Sequence, residues 1–507
     1  MILKLFPQRP DHPLADSKEF KRILAEILVD RPVNAVEELR GWYQSLKHAE
    51  NFRLDHYLDV IRQLDDAAQP HLRRLERDYL HSLHLSPLEQ QRLWTESYDY
   101  WGEVAALYRL CLQRAQLDPK SKGTERFKGA QPLVMTRVQA ALGAQVRWLA
   151  YRYGPVGEDL WGKLGETYLA AEAAGHAQKP VQLYPSVRGL SSVAQHYLHS
   201  LVFFTSSMDS LLPQQIDLAD RLVAHFSPGF VFSRDCRPDS VYWVDAGSGF
   251  APARLARRPG VSRPCLRFLS PGPTLTALTE LIHLVERGEV PSDLNLGGEY
   301  PPKVLLPVLH HLRVYWALQP PQRRHHRHSV KTRMAAVHGF DHCYAVFAGA
   351  AGHLAREAGV QHWLVENVSL GGFRACLDDS KGERIKLGSL FSMQPEGGEN
   401  WLLGVARRFN RLAGGRAVVG VQVLSRQARS VELHPRRSGF STAIPGIYLR
   451  DGGEPGLLRI VLPQGGFNVR ESLDFNLEGR SCVLIPVELE ESGGDYEIAR
   501  FREQSPG

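Results

Sequence analysis

Apolar residues recur at helical spacing through the first half of the chain. Phe20, Ile23, Leu24, Ile27 and Leu28 form one stripe, Leu54, Tyr57, Leu58, Ile61 and Leu64 a second, and Trp94, Trp101, Ala105 and Tyr108 a third. Residues three and four apart share one face of an α-helix, so each stripe predicts a helix packed by that face into a bundle or array. Asp16 and Glu19 have the spacing of a capping box at the start of the first stripe.

Near residue 228 the pattern changes. Phe230–Phe232 and Val241–Val244 are short β-prone runs bounded by Pro, Gly and Asp, which predict a strand pair or small sheet. Helical spacing returns over Leu275–Arg287 and from Val304 to about Leu318, and Pro320-Pro321 ends it. Beyond that point strands dominate: near Val365, after Gly372, then Trp401–Ala406, Val418–Leu424 and Ser430–Leu433. Turns rich in Gly, Asn and Asp separate them, as in a small antiparallel barrel. A helical interruption is expected at about 343–358. Further strands follow near Gly446–Leu449, Leu457–Leu462, Cys482–Leu489 and Tyr496–Phe501. The predicted fold class is α+β multidomain: a mostly α-helical N-terminal half, an antiparallel β-barrel and a further C-terminal β-rich segment. The expected divisions are 1–225 helical, 226–320 mixed and connecting, 321–435 barrel and 436–507 β-rich extension.

Composition adds limits. The 507 residues, 43% hydrophobic and 23% charged, suit a soluble protein of two to four domains. A net charge of +6 permits an anionic partner without requiring one. The six cysteines include no CxxC pair, so free thiols in a reducing compartment are expected, with no zinc site and no disulfide ladder. Met1–Phe6 is too short an apolar run for a signal peptide, and no window approaches the ~20 apolar residues of a spanning helix. A cytoplasmic protein without a membrane span is expected.

Trp161, Leu164, Gly165 and Tyr168 match the opening of a tetratricopeptide repeat, but no second copy follows. The looser implication is that helix pairs stack here and can hold a protein partner.

Two motifs in the barrel segment carry the chemistry. Arg323, Arg324, Arg327, Lys331 and Arg333 place five cations within eleven residues, uninterrupted by a carboxylate. Guanidinium forks pair bidentately with phosphate and with the O6/N7 edge of guanine, and they stack on purine faces. Glu366-Asn367-Val368-Ser369-Leu370-Gly371-Gly372 reads as a turn between strands. It supplies amide and hydroxyl groups, and glycines that let a backbone come close to an anion or base. Together the motifs suit a guanine nucleotide carrying more than one phosphate. Taken alone, the basic run is a solvated linker and the turn an ordinary cap. His325, His326 and His328 lack matched partners at ligand spacing, so no metal site is expected.

Arg323-x-x-x-Arg327 followed by Asn367-x-Ser369-x-x-Gly372 resembles the signature of the PilZ domain family. Trp401–Arg408 and Val419–Leu424 resemble the closing strands of that barrel, and the resemblance covers about 321–435. The 39 residues between Arg327 and Asn367, with their predicted helix, look like an insertion relative to a minimal PilZ barrel. The resemblance implies binding of cyclic di-GMP, with no other cofactor. By position, Arg323 and Arg327 would contact guanine edges and phosphates, and Arg324 would add a third cation. Asn367 and Ser369 would hydrogen-bond the ligand, and Gly371 and Gly372 would permit the tight turn. The arginine segment, at a domain junction, would wrap the ligand and move the helical half.

No GxSxG elbow, P-loop, Cys/His nucleophile pair or paired acid motif is present, so no catalytic residue and no enzyme are expected. Asp245-Ala246-Gly247-Ser248-Gly249 reads as a turn after a strand. Three readings stand: a cyclic di-GMP receptor relaying to a protein partner through its helical half, a docking protein whose barrel binds no nucleotide, and a nucleic-acid binder. The complete motifs argue against the second. The lack of aromatics among Arg323–Arg333 argues against the third, so no nucleic-acid partner is expected.

Overall fold

A computed structural model describes residues 10–504, apart from 30, 83, 258, 261–262, 293, 320–324, 351–359, 379–384, 413, 437–441, 452–455 and 478–479. The chain divides into two compact units, Met1–Pro321 and Gln322–Gly507.

In the first unit the stripes become helices α1 (Ser17–Val29), α2 (Pro32–Lys47), α3 (Leu54–His81), α4 (Pro87–Leu117), α5 (Thr124–Tyr151), α6 (Glu158–Ala173), α7 (Val193–Thr205) and α8 (Pro213–Phe226). Asp16 caps α1, its Oδ1 accepting from the Lys18 and Glu19 backbone N–H groups at 2.9 Å. Glu19 pairs with Arg22 instead of returning to the cap. The reciprocal capping box lies at α4, between Ser86 and Glu89. Phe20, Ile23 and Ile27 are buried, as is the whole Leu54–Leu64 stripe.

A four-stranded sheet follows, with β1 (Val231–Ser233), β2 (Tyr242–Asp245), β3 (Ala253–Arg254) and β4 (Leu266–Ser270) in the order β1-β4-β2-β3. The two runs read as β-prone are strands of one sheet, but β4 lies between them. That strand is buried at every residue, so it shows no alternation for a pattern search to find. Helices α9 (Thr274–Glu286) and α10 (Pro302–Trp316) complete the unit. Phe230, Val244, Leu269, Ile282 and Trp316 lie in the same core as the helical stripes. Region 226–320 is therefore packed as part of the helical unit.

Charge is buried inside this unit. Asp65, fully buried, accepts hydrogen bonds from the Tyr100 and Tyr108 hydroxyls at 2.9 Å and from Arg137 at 3.2 Å. Arg137 also lies over the Tyr184 ring, 4.6 Å from its centroid. Burial pushes the Asp65 carboxyl up, and Arg137 with the two hydroxyls pulls it back. The tetratricopeptide-like residues Trp161, Leu164, Gly165 and Tyr168 all point into the core from α6. Trp161 meets Phe204 edge-on at 5.0 Å, and Tyr168 stacks on Tyr197 at 4.8 Å. A Cβ on Gly165 would sit 2.1 Å from the Ala246 carbonyl oxygen, so the glycine admits the turn after β2. That turn is the one expected over Asp245–Gly249, with the Ser248 N–H bonded to the Asp245 carbonyl at 3.0 Å.

The second unit holds two closed antiparallel barrels. The first comprises β5 (His328–His338), β6 (Gln361–Ser369), β7 (Gly372–Asp378), β8 (Leu390–Pro395), β9 (Leu402–Leu412) and β10 (Arg416–Ser425), in the order β10-β7-β6-β5-β8-β9. The second comprises β11 (Ala428–Pro435), β12 (Ile444–Leu449), β13 (Leu457–Pro463), β14 (Leu473–Leu477), β15 (Arg480–Ser492) and β16 (Tyr496–Gln504), in the order β11-β12-β13-β16-β15-β14. The C-terminal β-rich segment is thus a barrel of its own. The strand at 430–433, grouped by sequence with the first barrel, is β11 and pairs with β12 and β14.

The helical interruption begins earlier than expected, as α11 (Phe340–Ala345), and a π-turn follows over Val346–Ala350. Residues 351–359 lie outside the description. Gly339, at φ 94°, ends β5, and the Asp495 carboxylate accepts from the Phe340 N–H at 2.7 Å. Phe340 and Cys343 pack with Leu390 and Leu403 of the first barrel and Ile447 and Tyr496 of the second. The interruption therefore helps fill the seam between barrels. Among the described residues, no helix is long and apolar enough to cross a membrane.

Candidate functional site

The two motifs meet at one end of the first barrel. Antiparallel pairing of β5 with β6 sets His328 opposite Val368 and Ser329 opposite Asn367. Arg327, one residue before β5, therefore arrives beside Asn367. Its Nη1 donates to Asn367 Oδ1 at 3.1 Å across 40 positions of sequence. Register shifts between Ser329 and Thr332 on β5, and between Val365 and Asn367 on β6, flank this point. Bulges of this kind twist a strand locally and re-aim its side chains.

Ser369 and Gly372 pair at the end of the β6–β7 hairpin, leaving Leu370 and Gly371 as its turn. The Ser369 hydroxyl donates to the Gly372 carbonyl at 3.0 Å. Neither glycine adopts a left-handed backbone. The expected tight turn is there, over Leu370 and Gly371, and it forms without positive φ. A Cβ on Gly372 would lie 2.1 Å from the Val421 carbonyl oxygen, so β7 can approach β10 only without one. A Cβ on Gly371 would lie 3.2 Å from the His325 ring.

Three further side chains belong to this neighbourhood. Arg426 Nη2 donates to the Leu370 carbonyl at 2.8 Å. Arg374, opposite Asn367 in the register, pairs with Glu366 at 3.0 Å and offsets that carboxylate. His325 covers Gly371. None follows from a periodicity: strand register brings Arg374 here, and the connection between β10 and β11 brings Arg426. Arg323 and Arg324 lie outside the described residues.

Arg327 is exposed, while Asn367 and Ser369 are half-buried. With Oδ1 engaged by Arg327, Asn367 offers amide N–H donors. With its proton on a carbonyl, the Ser369 oxygen offers lone pairs. A donor, an acceptor and guanidinium groups at one edge suit a ligand with an anion and a polar heterocyclic edge. Among the described residues, no group of three or more His, Cys, Asp or Glu side chains converges as a metal site would.

Fold and site define a two-barrel protein with a helical unit and a polar, cationic site at one end of its first barrel. Residues 18–238 match a family model described as the N-terminal domain of the cyclic-di-GMP receptor FimW. The match spans α1 to α8 and β1, under half of the 507 residues, and includes neither barrel. No curated protein matches the chain.

Proposed function

We propose that the chain is a receptor for cyclic di-GMP and takes the nucleotide at the Arg327–Asn367 end of its first barrel, as a PilZ domain does. The observation that carries this reading is the hydrogen bond between Arg327 and Asn367, which joins the two halves of the signature. The matched family, named for a cyclic-di-GMP receptor, supports it from the other unit of the chain. Arg327, with Arg323 and Arg324, takes the phosphates and a guanine edge, and Asn367 and Ser369 take the donors and acceptors of the base. The chain acts as a receptor rather than an enzyme, in the cytoplasm, and its helical unit relays occupancy to a protein partner.

Calorimetric titration of cyclic di-GMP into the full chain tests this, beside Arg327→Ala and a GTP control. A bidentate guanidinium contact is worth roughly 1–3 kcal/mol, so Arg327→Ala should weaken binding by about one to two decades. Absence of binding by the wild-type chain would sink the reading and leave a docking protein.

A further inference from the structure

We propose that Arg426 is a further ligand-binding residue of this site, and that the second barrel holds it in place. The inference deepens the cyclic di-GMP reading and rests on it. Arg426 lies between the last strand of one barrel and the first of the next, β10 and β11. One carboxylate organises this connection. Asp451, just after β12 of the second barrel, accepts from the Arg426 N–H at 2.8 Å, from the Gln427 N–H at 3.4 Å and from the Ser425 hydroxyl.

The side chain then reaches back to the first barrel. Arg426 Nη2 donates to the carbonyl of Leu370, in the turn that follows Ser369. The residue is exposed, and among the described residues its guanidinium makes this one hydrogen bond. A guanidinium carries five N–H donors in a planar fork. Four therefore stay available to an anionic oxygen bound beside Asn367 and Ser369. This is a built position: the backbone is clamped from below by Asp451, and the tip is fixed on a carbonyl.

A second tie reinforces it. Arg407 of β9 forms a two-pronged pair with Glu491 of β15, at 2.7 Å for Nη1, and its Nε donates to Gln422 at 2.8 Å. Gln422 pairs with Gly372 in the β7–β10 register. The hairpin bearing Asn367 and Ser369 is thus tied to the second barrel at its turn and, through β10, along β7. The ligand's phosphate is the group that Arg426 recognises, and Asp451 is its positioning residue.

Titration of cyclic di-GMP into full-length wild type, Arg327→Ala, Arg426→Ala, Arg426→Lys, Asp451→Asn and the Arg426→Ala/Asp451→Asn double variant decides the matter. Arg426→Ala should weaken binding by about tenfold to a hundredfold. Lysine keeps the charge and stem but loses the fork, so Arg426→Lys should recover part of that loss while staying several-fold weaker than wild type. Asp451→Asn should cost less than Arg426→Ala, and the double variant should bind as the Arg426→Ala single does. If Arg426→Ala does not fold, the lysine variant carries the test, and wild-type affinity in it overturns the proposal. Loss of binding in Arg327→Ala with wild-type affinity in Arg426→Ala overturns this inference alone and leaves the receptor reading standing. No binding by the wild-type chain overturns both.

Discussion

A methyl group at Gly372 would lie 2.1 Å from the Val421 carbonyl oxygen and 3.1 Å from its carbon. Both are backbone atoms of the neighbouring strand, held in continuous register from Arg416–Asp378 to Gln422–Gly372. No side-chain rotation relieves the overlap; β7 and β10 must separate. Overpacking of this kind costs about 1–3 kcal/mol, and a ladder hydrogen bond lost with it adds roughly 0.5–1.5 kcal/mol. For a unit of this size, about 1 kcal/mol moves the melting midpoint about 2–4 °C. Gly372→Ala should therefore lower the transition of the barrel unit by about 3–18 °C in scanning calorimetry. It should also weaken cyclic di-GMP, because the displaced hairpin carries Asn367 and Ser369. Gly371→Ala is the matched control. Its Cβ would meet the exposed His325 ring at 3.2 Å, and that ring can turn aside, so stability should change by no more than about 0.5 kcal/mol. Equal midpoints for the two variants would refute the close-approach argument.

The helical unit gives two further expectations. Arg137→Ala strands the fully buried Asp65 carboxylate and should cost about 3–5 kcal/mol, read from urea unfolding, whereas Arg137→Ala/Asp65→Leu should recover part of the loss. Burial raises the pKa of Asp220, but Arg147 at 2.8 Å and His199 at 2.7 Å outweigh it and bring the carboxyl below the usual range. Its contribution is then complete above about pH 4, its unfolded value, and is lost as pH falls through the lower folded value. Asp220→Asn should flatten the fall in helical-unit stability on the acid side, and an unchanged slope would contradict this.

Sequence pattern served best where one face of an element meets the core. The Leu54–Leu64 stripe has a single periodicity and is buried throughout. It served least where burial is two-sided, as in β4, and where bulges break alternation, as in β5 between Ser329 and Thr332. The bulged strand β5 went unread, although the motif leading into it was legible. A second closed barrel was equally hidden: its strands could be read one by one, but closure depends on β11 pairing with β14, which no local signal specifies. At the site, Arg327, Asn367 and Ser369 came from the resemblance of the two motifs to the PilZ signature, and the β5–β6 register brings the motifs together. Arg426 was invisible because its place depends on Asp451, which meets it only across the β11–β12 pairing.

The two limbs of the site differ in what a ligand must order. Ser369 is already bonded to Gly372, and Asn367 is already oriented by Arg327. Their hairpin is fixed by the Val423 N–H on the Gly371 carbonyl at 3.1 Å and by Arg426 on Leu370. Ordering a long side chain on binding costs roughly 0.5–1.5 kcal/mol, and this limb avoids most of that cost. Arg327 lies on the exposed limb and must share its Asn367 bond with the incoming ligand. On this argument the hairpin supplies selectivity for the base through fixed donors and acceptors. The arginine limb supplies affinity through charge. A substitution in the hairpin should therefore blur the discrimination between cyclic di-GMP and cyclic di-AMP, which differ in the base, while one at Arg327 should weaken both.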